Sequence, residues 1–158
     1  MRHLLVVRHG PAAGKAAGGS DRERPLTPEG RLTVESLASR LRAEAPPPDR
    51  VLCSTARRAQ ETLDILLREE RPRELDLEEA LYLADAPSLL RRLRELPDDA
   101  GSVLLVGHNP GLQELAALLG GEAIAAGLPA AGAVLFEVAG DWSGLRPESA
   151  RLRAFYSP

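Results

Sequence analysis

Two short apolar runs, each followed by a polar motif that contains a histidine, most constrain what this chain can fold into. Residues 4–7 lead into Arg8-His9-Gly10, and residues 103–106 lead into Gly107-His108-Asn109-Pro110. Uninterrupted apolar runs of this length are typical of strands buried inside a parallel sheet. Open α/β sheets bind their ligands at the carboxyl ends of such strands. We therefore expect both histidines at one edge of a sheet, an arrangement that favours phosphoryl transfer through histidine.

Helical patterns lie between these runs. Thr27-Pro28-Glu29 predicts a helix start, because threonine can cap, proline tolerates the first turn, and glutamate favours the positive end of the helix dipole. Apolar residues at helical spacing then continue to Pro46-Pro47-Pro48. Three further helices are predicted from the same signals: one capped by Thr55 and ending near Pro72, one ending at Pro97, and one running from Asn109-Pro110 to Gly120-Gly121.

The remaining apolar segments predict strands. Val51-Leu52-Cys53 forms a short one, and residues 133–138 and 152–156 form two more around a turn at residues 141–144. Strands that alternate with helices imply parallel βαβ units. We therefore predict a three-layer α/β/α sandwich with a mostly parallel central sheet, built as one domain over residues 1–158.

Composition excludes several classes of protein. The chain is 44% hydrophobic and 27% charged, which is ordinary for a globular protein. It has no apolar stretch of membrane-spanning length and no signal-peptide pattern, so no membrane partner is expected. A net charge of −3 without a basic tract argues against a nucleic-acid partner. Cys53 is the only cysteine, which excludes an internal disulfide and favours the cytoplasm. No histidine pair has metal-ligand spacing, so neither a metal nor a cofactor is expected.

Phosphoryl transfer needs a nucleophile and positive charge around the phosphoryl oxygens. His9 can attack phosphorus if nearby cations keep its imidazole neutral. Arg8 and an arginine after Cys53 can each donate two hydrogen bonds to phosphoryl oxygens. His108, protonated beside a phosphate dianion, would add a cation, and the helix after Asn109 points its positive end to the same edge. Taken singly, each histidine could equally be a polar residue satisfied at a strand end.

Four ordered motifs resemble those of the histidine phosphatase superfamily, which has the phosphoglycerate mutase-like fold. Arg8-His9-Gly10 resembles its first motif, and Gly107-His108-Asn109-Pro110-Gly111 resembles the block with its second histidine. Arg24-Pro25-Leu26-Thr27, followed by Gly30, resembles the segment that opens its first helix. Residues 54–62 resemble its pattern of Ser, three residues, Arg-Ala, two residues, Thr, a register that selects Arg58 and not Arg57.

Within the superfamily, the short chain and Pro11-Ala12 after the first motif resemble the small SixA-type phosphohistidine phosphatases. The resemblance implies that His9 forms a covalent phosphohistidine intermediate, which water then hydrolyses. It also implies that Arg8, Arg58 and His108 bind the phosphoryl oxygens, with Asn109 beside them. Neither a metal nor a cofactor is implied, because the protein's own cations stabilise the charge.

The general acid is the open element of the implied site. Glu79, with Tyr82 three positions on, matches the position of the acid in larger members, but it can equally be one of several surface acids in residues 74–79. Asp21 is a weaker candidate. An imidazole leaving group needs a proton donor less than an alkoxide does.

Three functions follow from these motifs. The leading one is hydrolysis of phosphohistidine in a protein. A broad phosphomonoesterase or a mutase acting on small phosphate esters is the alternative among enzymes, and a phosphate-binding module without turnover is the alternative from another class.

Overall fold

The structure, a computed structural model, describes residues 1–120, 124 and 126–158. Its strands and helices alternate through most of the chain. In chain order they are β1 (Arg2–Arg8), α1 (Pro28–Glu44), β2 (Arg50–Ser54), α2 (Arg57–Leu66), β3 (Glu74–Glu78), α3 (Ala86–Arg94), β4 (Ser102–Gly107), α4 (Gly111–Gly120), β5 (Ala133–Val138) and β6 (Ala150–Tyr156). Short 3₁₀ turns occur at Asp21–Glu23, Glu79–Leu81 and Trp142–Gly144.

One mixed sheet brings the two histidine motifs together. Its strand order is β3-β2-β4-β1-β5-β6. The first four strands in this order pair in parallel, whereas β5 and β6 pair antiparallel. β1 lies beside β4 with Arg8 opposite Gly107, so His9 and His108 follow adjacent strands at the same edge. The predicted mostly parallel sheet is confirmed.

Helices cover both faces of this sheet. On one face, Leu4 and Val6 of β1 pack in a cluster with residues of α3 and α4. On the other face, Leu5 and Val7 pack with residues of α1 and α2. Successive side chains of a strand point to opposite faces, so a strand covered on both faces is apolar at every position. The three-layer α/β/α architecture predicted from the sequence is therefore confirmed.

Strand β3 was not predicted, because its pattern is the reverse of a typical half-buried strand. Leu75 and Leu77 are 44% and 46% exposed, while the acidic side chains alternate with them on the opposite face. There Glu78 pairs with Arg92 of α3 at 2.7 Å. Most of the acidic run of residues 74–79 therefore forms an edge strand, and Glu79 follows it as an exposed side chain.

Three of the predicted helix ends can be compared in detail. Thr27 caps α1 as predicted, since its hydroxyl accepts a hydrogen bond from the amide of Gly30 at 2.9 Å. The prediction that Thr55 caps α2 was wrong: Ala56 precedes the helix, and the Thr55 hydroxyl donates to Glu79 instead. α2 also ends at Leu66, well before Pro72.

The remaining comparison concerns α4. Its first turn is held by Asn109, whose Oδ1 accepts from the amide of Gln113 at 3.2 Å. The helix is described up to Gly120, and the predicted end at Gly121 lies outside the described residues. Among the described residues, none of the helices is long and apolar enough to cross a membrane.

Candidate active site

His9 lies immediately after β1, and its imidazole has a defined tautomer. Nδ1 lies 2.7 Å from the carbonyl oxygen of Gly10, which can only accept a hydrogen bond. Nδ1 therefore carries the proton when the ring is neutral, and Nε2 keeps its lone pair. That lone pair faces the guanidinium of Arg58, whose Nε donates to Nε2 at 3.3 Å. The unprotonated Nε2 of His9 therefore points towards the positively charged guanidinium of Arg58.

The surroundings keep the His9 ring neutral. Burial is the main cause that lowers its pKa to about 4, and the charges of Arg58 and Arg8 lower it further, against an opposing effect of the Gly10 carbonyl. Desolvation and nearby cations both disfavour an imidazolium. At neutral pH, Nε2 is therefore available as a nucleophile without any prior loss of a proton.

Arg58 connects the two histidine motifs. It lies in the first turn of α2 and is only 2% exposed. In addition to its bond to His9, its Nη2 lies 3.4 Å from Nδ1 of His108. Arg57, by contrast, is exposed and pairs with Glu61. Of the two adjacent arginines, the structure brings to His9 the one that the motif register selected.

His108 faces His9 from the end of β4, with 5.2 Å between the ring centroids. It is 3% exposed, and its Nε2 lies 2.7 Å from the hydroxyl of Ser54. Burial, followed by the neighbouring His9 and Arg58, lowers the pKa of His108 to about 3. The ring is therefore neutral while the site holds no anion. A bound phosphate dianion would act in the opposite direction and favour the protonated form.

Arg8, the last residue of β1, is half-buried and close enough to His9 for its charge to lower the pKa of that histidine. Its Nη1 donates to the carbonyl oxygen of Leu128 at 3.1 Å. Its Nε is buried and has no hydrogen-bond partner in the part of the chain that the structure describes. Burial also lowers the pKa of this guanidinium. A buried cation with an unused N–H group suits an anionic ligand.

The side chain of Asn109 is used within the fold. Its Nδ2 donates to the Leu128 carbonyl at 2.8 Å and to Oε1 of Gln113 at 3.3 Å. The same Gln113 oxygen accepts from the amide of Leu128 at 3.0 Å. Asn109 thus holds the segment to which Arg8 is also bonded. Its direct binding of phosphate stays a prediction.

The two candidate acids lie in different surroundings. Glu79 is exposed and accepts hydrogen bonds from Thr55 and Arg22, and these bonds hold the pKa of its carboxyl below the ordinary value. Asp21 accepts hydrogen bonds from the Tyr82 hydroxyl, from Arg24 and from Arg58, so the pKa of its carboxyl lies far below the ordinary value. Both groups are ionised at neutral pH.

The sequence did not single out the residues that hold the site in place. Ser54 and Thr62 both stand in the motif that selected Arg58, and their hydroxyls contact His108 and the Arg58 backbone respectively. Their places in that motif were the available signal. The contact of Asp21 with Arg58 had no such signal, because 37 residues separate them and Asp21 lies on a short turn. Within the described ranges, no cluster of three or more His, Cys, Asp or Glu residues could hold a metal ion.

The geometry combines a neutral histidine whose Nε2 is unprotonated, two buried or half-buried arginines and a second histidine at one edge of the sheet. The sequence pattern that defines the histidine phosphatase superfamily (branch 1) matches residues 4–82, half of the chain. The chain belongs to the histidine phosphatase superfamily. The matched range includes His9 and Arg58, and the same fold brings His108 to them from beyond that range.

Individual relatives and solved structures are similar to most of the chain. An uncharacterized protein of Mycobacterium leprae is 33% identical over 147 residues, which cover 88% of this chain and 89% of that protein. A structure described as the putative phosphohistidine phosphatase SixA from Nakamurella multipartitia superposes with a TM-score of 0.88 at 26% identity, covering 99% of this chain and 96% of the other. The protein histidine phosphatase SixA in complex with tungstate superposes with a TM-score of 0.83 at 26% identity, covering 98% and 96%.

Proposed function

We propose that this chain hydrolyses the phosphoryl group of phosphohistidine in a protein, and that residues 1–158 act as one catalytic domain. In the first step, Nε2 of His9 attacks phosphorus, and the bond between phosphorus and the substrate's imidazole nitrogen breaks. The departing imidazole takes a proton from solvent. In the second step, water attacks the phosphohistidine on His9, which releases inorganic phosphate and restores the free imidazole.

The cations around His9 supply the electrostatic part of this mechanism. Arg8 and Arg58 donate to the phosphoryl oxygens, and His108 joins them once the phosphate dianion has favoured its protonation. The position of Arg8 at the end of β1, where its charge helps to lower the pKa of His9, supports this role. Because these groups offset the charge of the transferring phosphoryl group, the proposed steps use no metal ion.

The hydrogen bonding of the two carboxyls is the observation that carries the choice of substrate. Asp21 and Glu79 are both held ionised by cations and hydroxyl donors, so neither is suited to protonate a leaving group. An alkoxide leaving group depends on such a donor, and loss of a general acid costs ~10²–10⁴-fold in rate. An imidazole departs more readily. The site is therefore better suited to phosphohistidine than to an ordinary phosphate ester.

Two observations support a protein as the carrier of that phosphohistidine. The similar structures named above are described as phosphohistidine phosphatases, and one as a protein histidine phosphatase. A groove of about 630 Å³ lies between the turn that carries Asp21 and the first turns of α2, with Arg22, Arg57 and Gln60 among the residues that line it. Its lining residues are different from those around His9, so the groove would contact the carrier protein and not the phosphoryl group.

The decisive experiment measures phosphate release from a phosphohistidine-bearing protein and from phenyl phosphate, with excess chelator present. Wild type should be much faster on phosphohistidine, and His9→Ala should abolish both rates. An equal or faster rate on the ester would move the function to a general phosphomonoesterase. If wild type shows no His9-dependent rate on either substrate, while it still binds inorganic phosphate, the phosphate-binding module becomes the better description.

A further inference from the structure

Asp21 occupies an unusual position for an acidic residue, because it is bonded to the arginine that faces both histidines. The side-chain Oδ2 of Asp21 accepts from Nη2 of Arg58 at 3.1 Å, and its backbone oxygen accepts from Nη1 at 2.8 Å. The same Nη2 is 3.4 Å from His108. A negative charge therefore lies within a few ångströms of the place where the phosphoryl group must bind.

The three nitrogens of the Arg58 guanidinium contact His9 at one end of the group and Asp21 at the other. Nε is bonded to Nε2 of His9, the attacking atom, whereas Asp21 is bonded to the two Nη atoms at the far end of the group. In-line displacement places the leaving group opposite the attacking atom. The carboxylate of Asp21 is thus on the part of Arg58 that is turned away from the nucleophile.

Further hydrogen bonds hold the Asp21 carboxylate in one orientation and keep it ionised. The Tyr82 hydroxyl donates to Oδ2, and Nη1 of Arg24 donates to Oδ1 at 3.0 Å. Tyr82 itself packs edge-on against His108, with 5.5 Å between the ring centroids. These bonds hold the carboxylate ionised, consistent with a pKa far below the ordinary range. Its charge therefore cannot be removed by mild acid or avoided by rotation away from the site.

We propose that Asp21 is a specificity-determining residue, which makes this site favour phosphoryl groups on a neutral or cationic imidazole and disfavour phosphate esters that carry a further carboxylate or phosphate. The inference deepens the proposed phosphohistidine activity and rests on it for the identity of the substrate. A second negative charge on the ligand is repelled by the carboxylate of Asp21, whereas a neutral imidazole is not repelled and an imidazolium is attracted. At separations of several ångströms near a protein surface, such an interaction changes affinity by about tenfold.

Two ligands that cannot be hydrolysed test this directly. Methylphosphonate and phosphonoacetate differ by one carboxylate next to the phosphonate, and calorimetry gives the ratio of their dissociation constants for each variant. Asp21→Asn keeps the size of the side chain and an oxygen that can accept from Arg58. It should shift the ratio about tenfold in favour of phosphonoacetate. Glu23→Gln, the same change at an exposed position on the same turn, should leave the ratio within about twofold.

A second variant covers the case in which Asp21→Asn does not fold. Arg24→Gln removes a cation that partly compensates the Asp21 carboxylate, so it should shift the ratio in the opposite direction, against phosphonoacetate. If either folded variant leaves the ratio unchanged, the inference is overturned. If Asp21→Asn and Glu23→Gln shift the ratio equally, the effect belongs to net charge and the inference is likewise overturned.

Turnover separates this inference from the proposed function. With Asp21→Asn, the preference for a phosphohistidine peptide over phenyl phosphate, measured as the ratio of kcat/KM, should fall about tenfold. A wild-type protein that hydrolyses neither substrate contradicts the phosphohistidine activity, and the phosphonate ratio still decides whether Asp21 selects by charge. Wild-type turnover with an unchanged preference in Asp21→Asn would leave the activity standing and overturn the role of Asp21.

Discussion

The hydroxyl of Thr62 lies 3.0 Å from the amide nitrogen of Gly10 and accepts its hydrogen bond, which ties α2 to the turn after β1. The same hydroxyl donates to the carbonyl oxygen of Arg58 at 2.8 Å. Gly10 in turn supplies the carbonyl that fixes the His9 tautomer. One buried hydroxyl therefore sets the separation between the nucleophile and the main phosphate-binding arginine of the proposed mechanism.

Replacing Thr62 by valine keeps the shape of the side chain and removes both hydrogen bonds. Because the Gly10 amide is then buried without a partner, we expect the free energy of unfolding to fall by about 1–3 kcal/mol. We also expect kcat to fall by a larger factor than KM changes, since the Thr62 hydroxyl no longer joins the backbone beside His9 to that of Arg58. Chemical denaturation and steady-state kinetics on phosphohistidine measure the two effects.

The control for this variant is Thr33→Val, at a half-buried threonine of α1 whose hydroxyl bonds to the carbonyl of Glu29. That change should cost less than about 0.5 kcal/mol, because the hydrogen bond that it removes is exposed and water can replace it. A Thr62→Val protein with wild-type kcat would show that the hydroxyl has no part in positioning.

The adjacent arginines give a matched pair for testing the site. Arg58→Lys keeps one positive charge but cannot contact His9, His108 and Asp21 with three separate nitrogens. We expect kcat/KM to fall by about 100-fold or more, an effect of the size seen when an oxyanion donor is removed. Arg57→Lys, one residue away and exposed, should stay within about twofold. Equal losses in the two variants would contradict the assignment of Arg58.

Glu79 offers a test of whether the reaction uses a carboxylic acid. Its carboxylate is bonded to Arg22 and Thr55 and ionised, so Glu79→Gln should change kcat on a phosphohistidine peptide by less than about threefold. Removing a working general acid would cost ~10²–10⁴-fold. A loss in that range, measured from initial rates at neutral pH, would make Glu79 the proton donor and weaken the argument for an imidazole leaving group.

The two histidines of the site also predict how stability depends on pH. In the unfolded chain a histidine titrates near pH 6.5, whereas the pKa values in the fold are about 4 for His9 and about 3 for His108. Between these values the unfolded chain binds more protons. The stabilising contribution is therefore complete above about pH 6.5 and is lost as the pH falls towards 4, by up to about 1.4 kcal/mol per pH unit for each histidine.

Urea denaturation between pH 5 and 8, in buffers without phosphate, measures this slope. His108→Gln removes one of the two titrating rings, so its slope below pH 6.5 should be smaller than that of wild type by about the contribution of one histidine. Carboxyl groups titrate alike in both proteins and cancel in the difference. Identical slopes would mean that His108 is not held neutral by the fold.

The sequence predicted those strands and helices whose signals lie within a few consecutive residues. β1 and β4 could be recognised because a strand covered on both faces is apolar at every position, and α1 could be placed because Thr27 and Pro28 act within a single turn. The edge strand β3 could not, because its leucines point to solvent and its acids pair with arginines from α3 and β2. That pairing depends on the tertiary structure.

The same distinction applies to the site. The motifs at strand and helix ends predicted that His9, His108 and Arg58 lie together, and the structure confirms this proximity, whereas their roles stay predictions. Thr55 was misjudged because a hydroxyl before a helix predicts a cap only if no stronger acceptor lies nearby, and the Glu79 carboxylate is 24 residues away. Asp21 was considered only as a weaker candidate acid, because its contacts with Arg58 and Tyr82 join residues that are distant in sequence.

The alternation of acidic residues and leucines along β3 also affects whether two molecules of this protein can pair through this strand. An exposed edge strand offers unpaired backbone groups to any similar strand, and Leu75 and Leu77 would add apolar contact. Pairing with an antiparallel copy centred on Asp76 would set that carboxylate against its own counterpart and Glu74 against Glu78. Like charges directly opposite destabilise a strand pair. The acidic residues that made this strand hard to recognise in the sequence thus disfavour edge-to-edge pairing of two molecules in this register.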